Sequence, residues 1–306
     1  MNQAQPIVIN LPSVDLAYLP TPLEPLPRLS AELGGPELWI KRDDLTGLAT
    51  GGNKTRKLSY LIADALEQGA DCVITAGSTQ SNHARQTAAA ARVCGLEPQL
   101  VLFSPTGQAP EDINGNLLLN QMLGATLHWT TERAPYAETI QTLAAALQKS
   151  GRHPYVIPYG GSNAIGICGY IDAMDEAAEQ MADVGRFDAI VFATSSGGTQ
   201  AGMLLGMNAF SQTMRPRLVG ISVDEAQESL GARVSSLAQS GAELLGYAGP
   251  IEAPEINDDY LGGGYAGVGP AEREAIRLLA QTEGVLVDPV YSGRALAGLI
   301  DLIRLG

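Results

Sequence analysis

Short apolar runs alternating with helical stretches constrain the fold more than any other feature of this chain. "CVITA" (72–76), "QLVLF" (99–103), "PYVIP" (154–158), "FDAIVFAT" (187–194) and "RLVGISV" (217–223) are strand-length and nearly continuous in apolar character. A strand of that kind is covered on both faces, which is the situation in parallel sheets with helices above and below. Helical spacing fills the intervals: "KTRKLSYLIADALEQG" ending at Gly69, "NHARQTAAAARVCG", and stretches near 113–123, 136–149 and 165–181. "GGTQAGMLLGMNAF" and two late stretches near 270–282 and 292–305 add three more, and a further strand is expected near 126–129. The proline-punctuated "LAYLPTPLEPLPRLSAELGG" predicts an extended lead-in with one short helix, and "ELWIKRDDL" a strand running into a polar turn. "GGSNAI" at 160–165 marks a crossover between two α/β units.

The chain has 306 residues, 45% of them hydrophobic, enough for two cores. Its formal net charge of −14 disfavours nucleic acid or an anionic membrane surface as a partner. Cys72, Cys94 and Cys168 are widely spaced in apolar surroundings and read as buried thiols in a reducing compartment rather than a disulfide framework. His83, His128 and His153 have no metal-ligand spacing. The start "MNQAQPIVINLPS" has neither a basic end nor an apolar run, so no leader is expected. A cytoplasmic protein is the expectation.

In "TGGNKTRKL" two glycines and an asparagine stand directly before Lys54. A phosphate loop needs glycine immediately before the lysine and another five positions earlier; those places hold Asn53 and Leu48. A glycine turn at a helix start can instead present an amine to an aldehyde, with Lys57 one turn on adding positive potential that lowers the amine pKa. A solvated helix-start lysine is the plainer alternative, and only a second site for the same cofactor weakens it.

That second site is "TSSGGTQAG", 194–202, where a strand meets a helix start. Backbone N–H groups at Gly197 and Gly198, with the hydroxyls of Ser195, Ser196 and Thr199, suit a phosphate. An aldehyde anchor and a phosphate cradle together point to pyridoxal phosphate. "GSTQSNHARQ", 77–86, is another strand-to-helix turn. Ser81 is placed to cap its helix, the free N–H groups of the turn suit a carboxylate, and Asn82 is placed to donate to a ring oxygen; an ordinary cap with no ligand is the plainer alternative.

Taken in order, "PTPLEPLPRLS", "IKRDDLTGLATGGNKTRKL", "TQSNHARQTAAA", "PYVIPYGGSN", "GGTQAG" and "LVDPVYSGRALAGLIDLI" resemble the 1-aminocyclopropane-1-carboxylate deaminase and D-cysteine desulfhydrase family of pyridoxal-phosphate enzymes. The resemblance implies the tryptophan-synthase-β type of α/β fold (fold type II). Its smaller domain at 52–163 is inserted into a larger one formed by 1–51 and 164–306, with the cofactor in the cleft. Lys54 would hold the cofactor aldehyde beside Asn53, Asn82 its ring hydroxyl, and Ser195–Thr199 its phosphate. Ser81, Asn82 and His83 would meet the substrate, and Tyr265 and Tyr291 would flank it, Ser81 and the tyrosines assisting proton transfer. A homodimer is implied.

The family's deaminases carry Gln after "SN" and Glu after "DPVY"; here those places hold His83 and Ser292. A hydroxyl at the ring nitrogen leaves the pyridine near neutral, which serves β-elimination, so a D-cysteine-type substrate giving pyruvate, ammonia and hydrogen sulfide is expected. The rivals are L-cysteate sulfo-lyase, for which Arg56 and Arg85 are candidate sulfonate contacts, then the deaminase, a β-replacement synthase, and a non-catalytic amino-acid-binding relative. Two departures stand out. The family continues into a strand and an "HTGG"-like turn, absent here after Gly306; the chain is expected either to be cut short or to lack that ring-nitrogen partner. Ala266 stands where many relatives have glycine, beside Tyr265.

Overall fold

The computed structural model describes residues 6–306. Residues 1–5, the beginning of the stretch read as carrying no leader, lie outside the described residues. In chain order the elements begin with β1 (Leu23–Pro25), α1 (Pro27–Leu33) and β2 (Trp39–Lys41), where β1 and β2 pair antiparallel. Then follow α2 (Lys54–Glu67), β3 (Cys72–Ser78), α3 (Asn82–Val93), β4 (Glu97–Phe103), α4 (Gly115–Met122), β5 (Thr126–Thr130), α5 (Ala137–Lys149) and β6 (Pro154–Val156). The remainder is α6 (Cys168–Val184), β7 (Ala189–Thr194), α7 (Gly198–Gly206), β8 (Arg217–Ser222), α8 (Gln227–Leu245), β9 (Glu255–Asn257), α9 (Pro270–Glu283) and α10 (Ser292–Leu305).

Two compact units result. One comprises Ile9–Thr21 and Asp43–Gly169. Its sheet is parallel throughout, in the order β5-β4-β3-β6. Strand β3 is buried because successive side chains enter different cores. Val73 packs with Leu58, Leu61, Ile62 and Ala65 of α2 and with Ala90 and Ala91 of α3, whereas Ile74 and Ala76 pack with Tyr136 and Ile140 of α5. Fully burying a Leu or Ile stabilises by about 1.5–3 kcal/mol, so the α2 stripe alone is a substantial anchor. The alanines of α3 leave room for α2 alongside. The lead-in stretch joins this unit through its backbone: Val14 N donates to Ser59 O at 2.9 Å and Tyr18 N to Thr46 O at 3.1 Å.

The other unit takes Pro22–Arg42, Tyr170–Gly306 and the described residues before Ile9. Its sheet is β7-β8-β9, again parallel. Ala295 of α10 packs on Val219 and Ile221 of β8, while Leu29 of α1 and Leu279 of α9 share a core with Leu26, Leu38 and Val285.

Three elements were not expected from sequence: β1, β9 and the 19-residue α8. In α8, two glycines and four serines dilute the helical signal. Yet Leu230, Val234, Ala238, Gly241 and Ala242 form a buried stripe at helical spacing. Packing makes this helix, not propensity.

Candidate active site

Lys54 is the first residue of α2, and the loop before it is unusual. Ala49, Thr50, Gly51 and Gly52 have φ of 43°, 71°, 71° and 128°. Left-handed backbone at Ala49 and at β-branched Thr50 costs of the order of 1–3 kcal/mol each and persists only where the surroundings impose it. They do so here. Gly52 N donates to Thr46 Oγ1 at 2.9 Å, and that hydroxyl lies 2.9 Å from Gly52 O. A Cβ on Gly51 would stand 1.8 Å from Asp44 O, and one on Gly52 would stand 2.2 Å from Gln86 Nε2. Asn53 occupies the N-cap place, yet its side chain makes no capping bond.

The start of α3 is tied to this loop. Gln86 Nε2 and Arg85 Nη2 both donate to Gly51 O, at 3.0 and 2.8 Å, and Thr55 Oγ1 donates to Gln86 Oε1 at 3.0 Å. Ser81 caps α3, its Oγ accepting from Ala84 N at 3.1 Å, so its hydroxyl hydrogen is left to be donated. Asn82 Oδ1 accepts from Arg85 Nη1 at 3.1 Å and from Asn116 Nδ2 at 2.8 Å, which turns the amide so that its Nδ2 hydrogens are the ones offered. These contacts tie the loop ahead of Asn53 and Lys54 to the start of α3, where Ser81, Asn82 and His83 stand, all within a single unit.

The basic side chains around Lys54 are buried. Lys57 has no exposed surface, and its amine lies 3.3 Å from Gly160 O and 3.4 Å from Ser162 Oγ. Burial first, then the neighbouring Lys54 amine, hold its pKa well below the ordinary lysine range, so Lys57 is a poor source of positive potential. Arg56 is buried and spent on Asp43, at 3.0 and 2.9 Å, and on Thr21 at 3.0 Å. Arg85 is likewise buried. His83 is also buried, its Nε2 2.9 Å from Thr75 Oγ1. Burial, then the Lys54 and Lys57 amines, push its pKa well below the usual imidazole range, which keeps the ring neutral.

In the other unit, β7 ends at Thr194 and α7 opens at Gly198 after Gly197 at φ 84°. Gly197 has no side chain with which to cap the helix, so no Asp or Ser oxygen of its own competes for the first-turn N–H groups. Ser195 and Ser196 form the turn; Arg233 Nη1 donates to Ser195 O at 3.1 Å, and its Nη2 donates to both carboxylate oxygens of Glu225, at 2.7 and 2.5 Å, so its charge is already paired. A phosphate suits that donor set, and an aromatic ring oxygen suits the outward amide of Asn82, so the residues present fit pyridoxal phosphate.

The same unit holds the tyrosines. The Tyr265 and Tyr291 hydroxyls are 2.9 Å apart, their rings crossing edge to face at 70°. Ser292 is the first residue of α10. The start of that helix is organised by Asp288, whose carboxylate accepts from Val290 N at 3.0 Å, Tyr291 N at 2.9 Å and Ser292 N at 2.8 Å. Sequence reasoning misses the structural parts played by Asp288, Arg85, Gln86 and Asn116. Asp288 is visible as the first residue of "DPVYSG", an acidic group just ahead of a helix start; Gln86 and Asn116 leave no comparable signal.

Comparison with known proteins decides the family. The pyridoxal-phosphate dependent enzyme profile matches residues 14–306. This chain is a pyridoxal-phosphate dependent enzyme. Within that family it is 44% identical over 292 residues to a D-cysteine desulfhydrase of Salmonella choleraesuis (strain SC-B67), covering 95% of this chain and 88% of the relative. The same protein of Salmonella schwarzengrund (strain CVM19633) is 43% identical over the same length. Among solved structures, an ACC deaminase homologue superposes with a TM-score of 0.89 at 41% identity, covering 97% of this chain and 88% of the other. A threonine deaminase from T.th., at 21% identity and a TM-score of 0.65, covers 92% of this chain and 87% of its own, and shares the fold. The enzyme is therefore an α/β protein of the fold-type-II, tryptophan-synthase-β-like class, with parallel sheets.

Proposed function

We propose that this enzyme carries out α,β-elimination on D-cysteine, consuming one water and releasing pyruvate, ammonia and hydrogen sulfide. The observation that carries the reading is the tyrosine pair, two phenols 2.9 Å apart, with Ser292 next in the chain where the deaminases carry glutamate. A departing thiolate needs a proton at sulfur, and two hydrogen-bonded phenols form a donor that can be replenished. The relatives named D-cysteine desulfhydrase support the same choice.

Pyridoxal phosphate, when bound, supplies the electron sink that makes the α-proton acidic. Lys54 would hold its aldehyde and serve as the base for the α-proton, Ser195 to Thr199 would hold its phosphate, Asn53 and Asn82 would border its ring, and Ser292 would stand at its nitrogen. The Ser81 hydroxyl donates to the substrate carboxylate. His83, neutral and held by Thr75, shapes the wall there and carries no charge. The L-cysteate reading loses Arg56, whose charge is paired with Asp43, while Arg85 is held by the neutral oxygens of Gly51, Asn82 and Asn116. The two compact units are proposed as the two domains of the fold, and a cytoplasmic homodimer is part of the same proposal. Three free cysteines suit that compartment, and no helix among the described residues is long and apolar enough to cross a membrane.

The test is a substrate panel. Purified enzyme with D-cysteine should yield sulfide and pyruvate; sulfite from L-cysteate or 2-oxobutyrate from 1-aminocyclopropane-1-carboxylate would name another branch, and spectral binding without product a non-catalytic relative. Lys54→Ala should remove the visible absorbance of the bound cofactor and all turnover, and retained turnover would refute the role of Lys54.

A further inference from the structure

Arg294 lies three residues beyond Tyr291 on α10 and has no exposed surface, although its charge is permanent. Its Nε donates to Glu272 Oε1 at 3.0 Å, Nη1 to the carbonyls of Val223 and Gly264, the latter at 3.2 Å, and Nη2 to the carbonyl of Gly267 at 2.5 Å. Gly264 and Gly267 bracket Tyr265 and Ala266. One side chain therefore grips both ends of the short turn that carries the Tyr265 ring. Within the turn, Gly264 N donates to Leu261 O at 3.0 Å and Gly267 N to Gly264 O at 3.1 Å, and Gly262, Gly264 and Ala266 all have positive φ. Glu272 is fixed in turn, its Oε2 accepting from Gly269 N at 2.9 Å at the start of α9.

A buried ion pair is a weak device for stability alone, since apolar side chains of similar volume serve that purpose at least as well. What this one adds is a fixed distance between α10, which begins just after Tyr291, and the turn of Tyr265. A lysine could not reproduce it: three hydrogens on one nitrogen do not span Glu272 and three separate carbonyls, whereas the planar fork of arginine does.

We propose that Arg294 is a positioning residue that holds the Tyr265 hydroxyl at hydrogen-bond distance from Tyr291, and so keeps the leaving-group donor assembled. It touches no reacting atom and acts through Tyr265. The proposal rests on the reading of the tyrosine pair given above.

The experiment is a double-mutant cycle in the holoenzyme with D-cysteine. Arg294→Lys should lower kcat by about 10- to 100-fold with KM little changed, as expected when a group is misplaced rather than removed. In a Tyr265→Phe background the same change should have no further effect. An equal loss in both backgrounds overturns the role of Arg294 and leaves the tyrosine reading in place; a fully active Tyr265→Phe enzyme removes the tyrosine reading, and this role with it. If Arg294→Lys fails to accumulate folded, Glu272→Gln runs the same cycle, because it unpairs the guanidinium without emptying its site. A fluorotyrosine at position 265, followed by fluorine NMR, reads the contact without turnover and so decides the matter even if D-cysteine is not the substrate. Tyr291→Phe should shift its resonance when Arg294 is present and leave it unmoved in the Arg294→Lys protein; an equal response in both overturns the proposal.

Discussion

Ala266 shows how one side chain can be legible in a sequence while its consequence is not. It stands out beside Tyr265 as an alanine in a glycine-rich loop, and its φ of 62° places it where an L-residue is strained. Left-handed backbone costs a residue with a Cβ about 1–2 kcal/mol, partly offset by the extra freedom glycine has when unfolded. Ala266→Gly should therefore raise stability by up to about 1 kcal/mol, measured by chemical denaturation, with the m-value unchanged. Other residues differ from their sequence reading for a common reason. Arg56, Lys57, Arg85 and His83 are all buried, which their sequence context does not reveal, because a sequence does not say that α2, α3 and the 160–162 turn close over one another. Ser81 was legible because capping is local: its partner, Ala84, lies three residues away.

At the scale of the element, α6 carries a cluster of acids on one face. Asp175 is flanked by Asp172 and Glu179, which are helical neighbours at spacings of three and four. Burial first, then these two carboxylates, raise its pKa to about 6 from an ordinary value near 3.8. A carboxyl whose folded pKa is raised favours the fold when protonated, so its contribution is full below about pH 4 and is lost as pH rises through about 6. Asp175→Asn should accordingly raise the melting temperature more at pH 8 than at pH 5. A gain of the same size at both pH values would show that repulsion between the carboxylates is not the cause. The face is half solvated, so water and salt screen part of this repulsion. Helices such as α2, α3 and α10 were visible in the sequence from their apolar spacing, whereas α8 was masked by its small residues and β9 by its three-residue length.

For the whole molecule, the alternation of strands and helices was enough to predict parallel sheets, because a strand apolar along its length has to be covered twice. Sheet order was not legible, since β6 joins β3 across a long intervening stretch of chain and only tertiary packing selects that neighbour. A formal net charge of −14 is a global property with its own consequence. Self-repulsion at that charge opposes the compact state and is screened over about 10 Å at 0.1 M salt, so the thermal midpoint should rise as sodium chloride is added from low ionic strength and then level off. A midpoint that falls with salt would mean that the ion pairs, such as Arg152 with Asp71 and Glu97, outweigh the repulsion.

The loop ahead of Lys54 runs through four successive residues, 49 to 52, in the half of backbone space that suits the opposite chirality. A D-alanine introduced at position 49 by chemical ligation would sit there with less strain than the natural residue. The chain thus enters the helix that begins at Lys54 from a stretch of peptide built, in effect, in the mirror image of the rest.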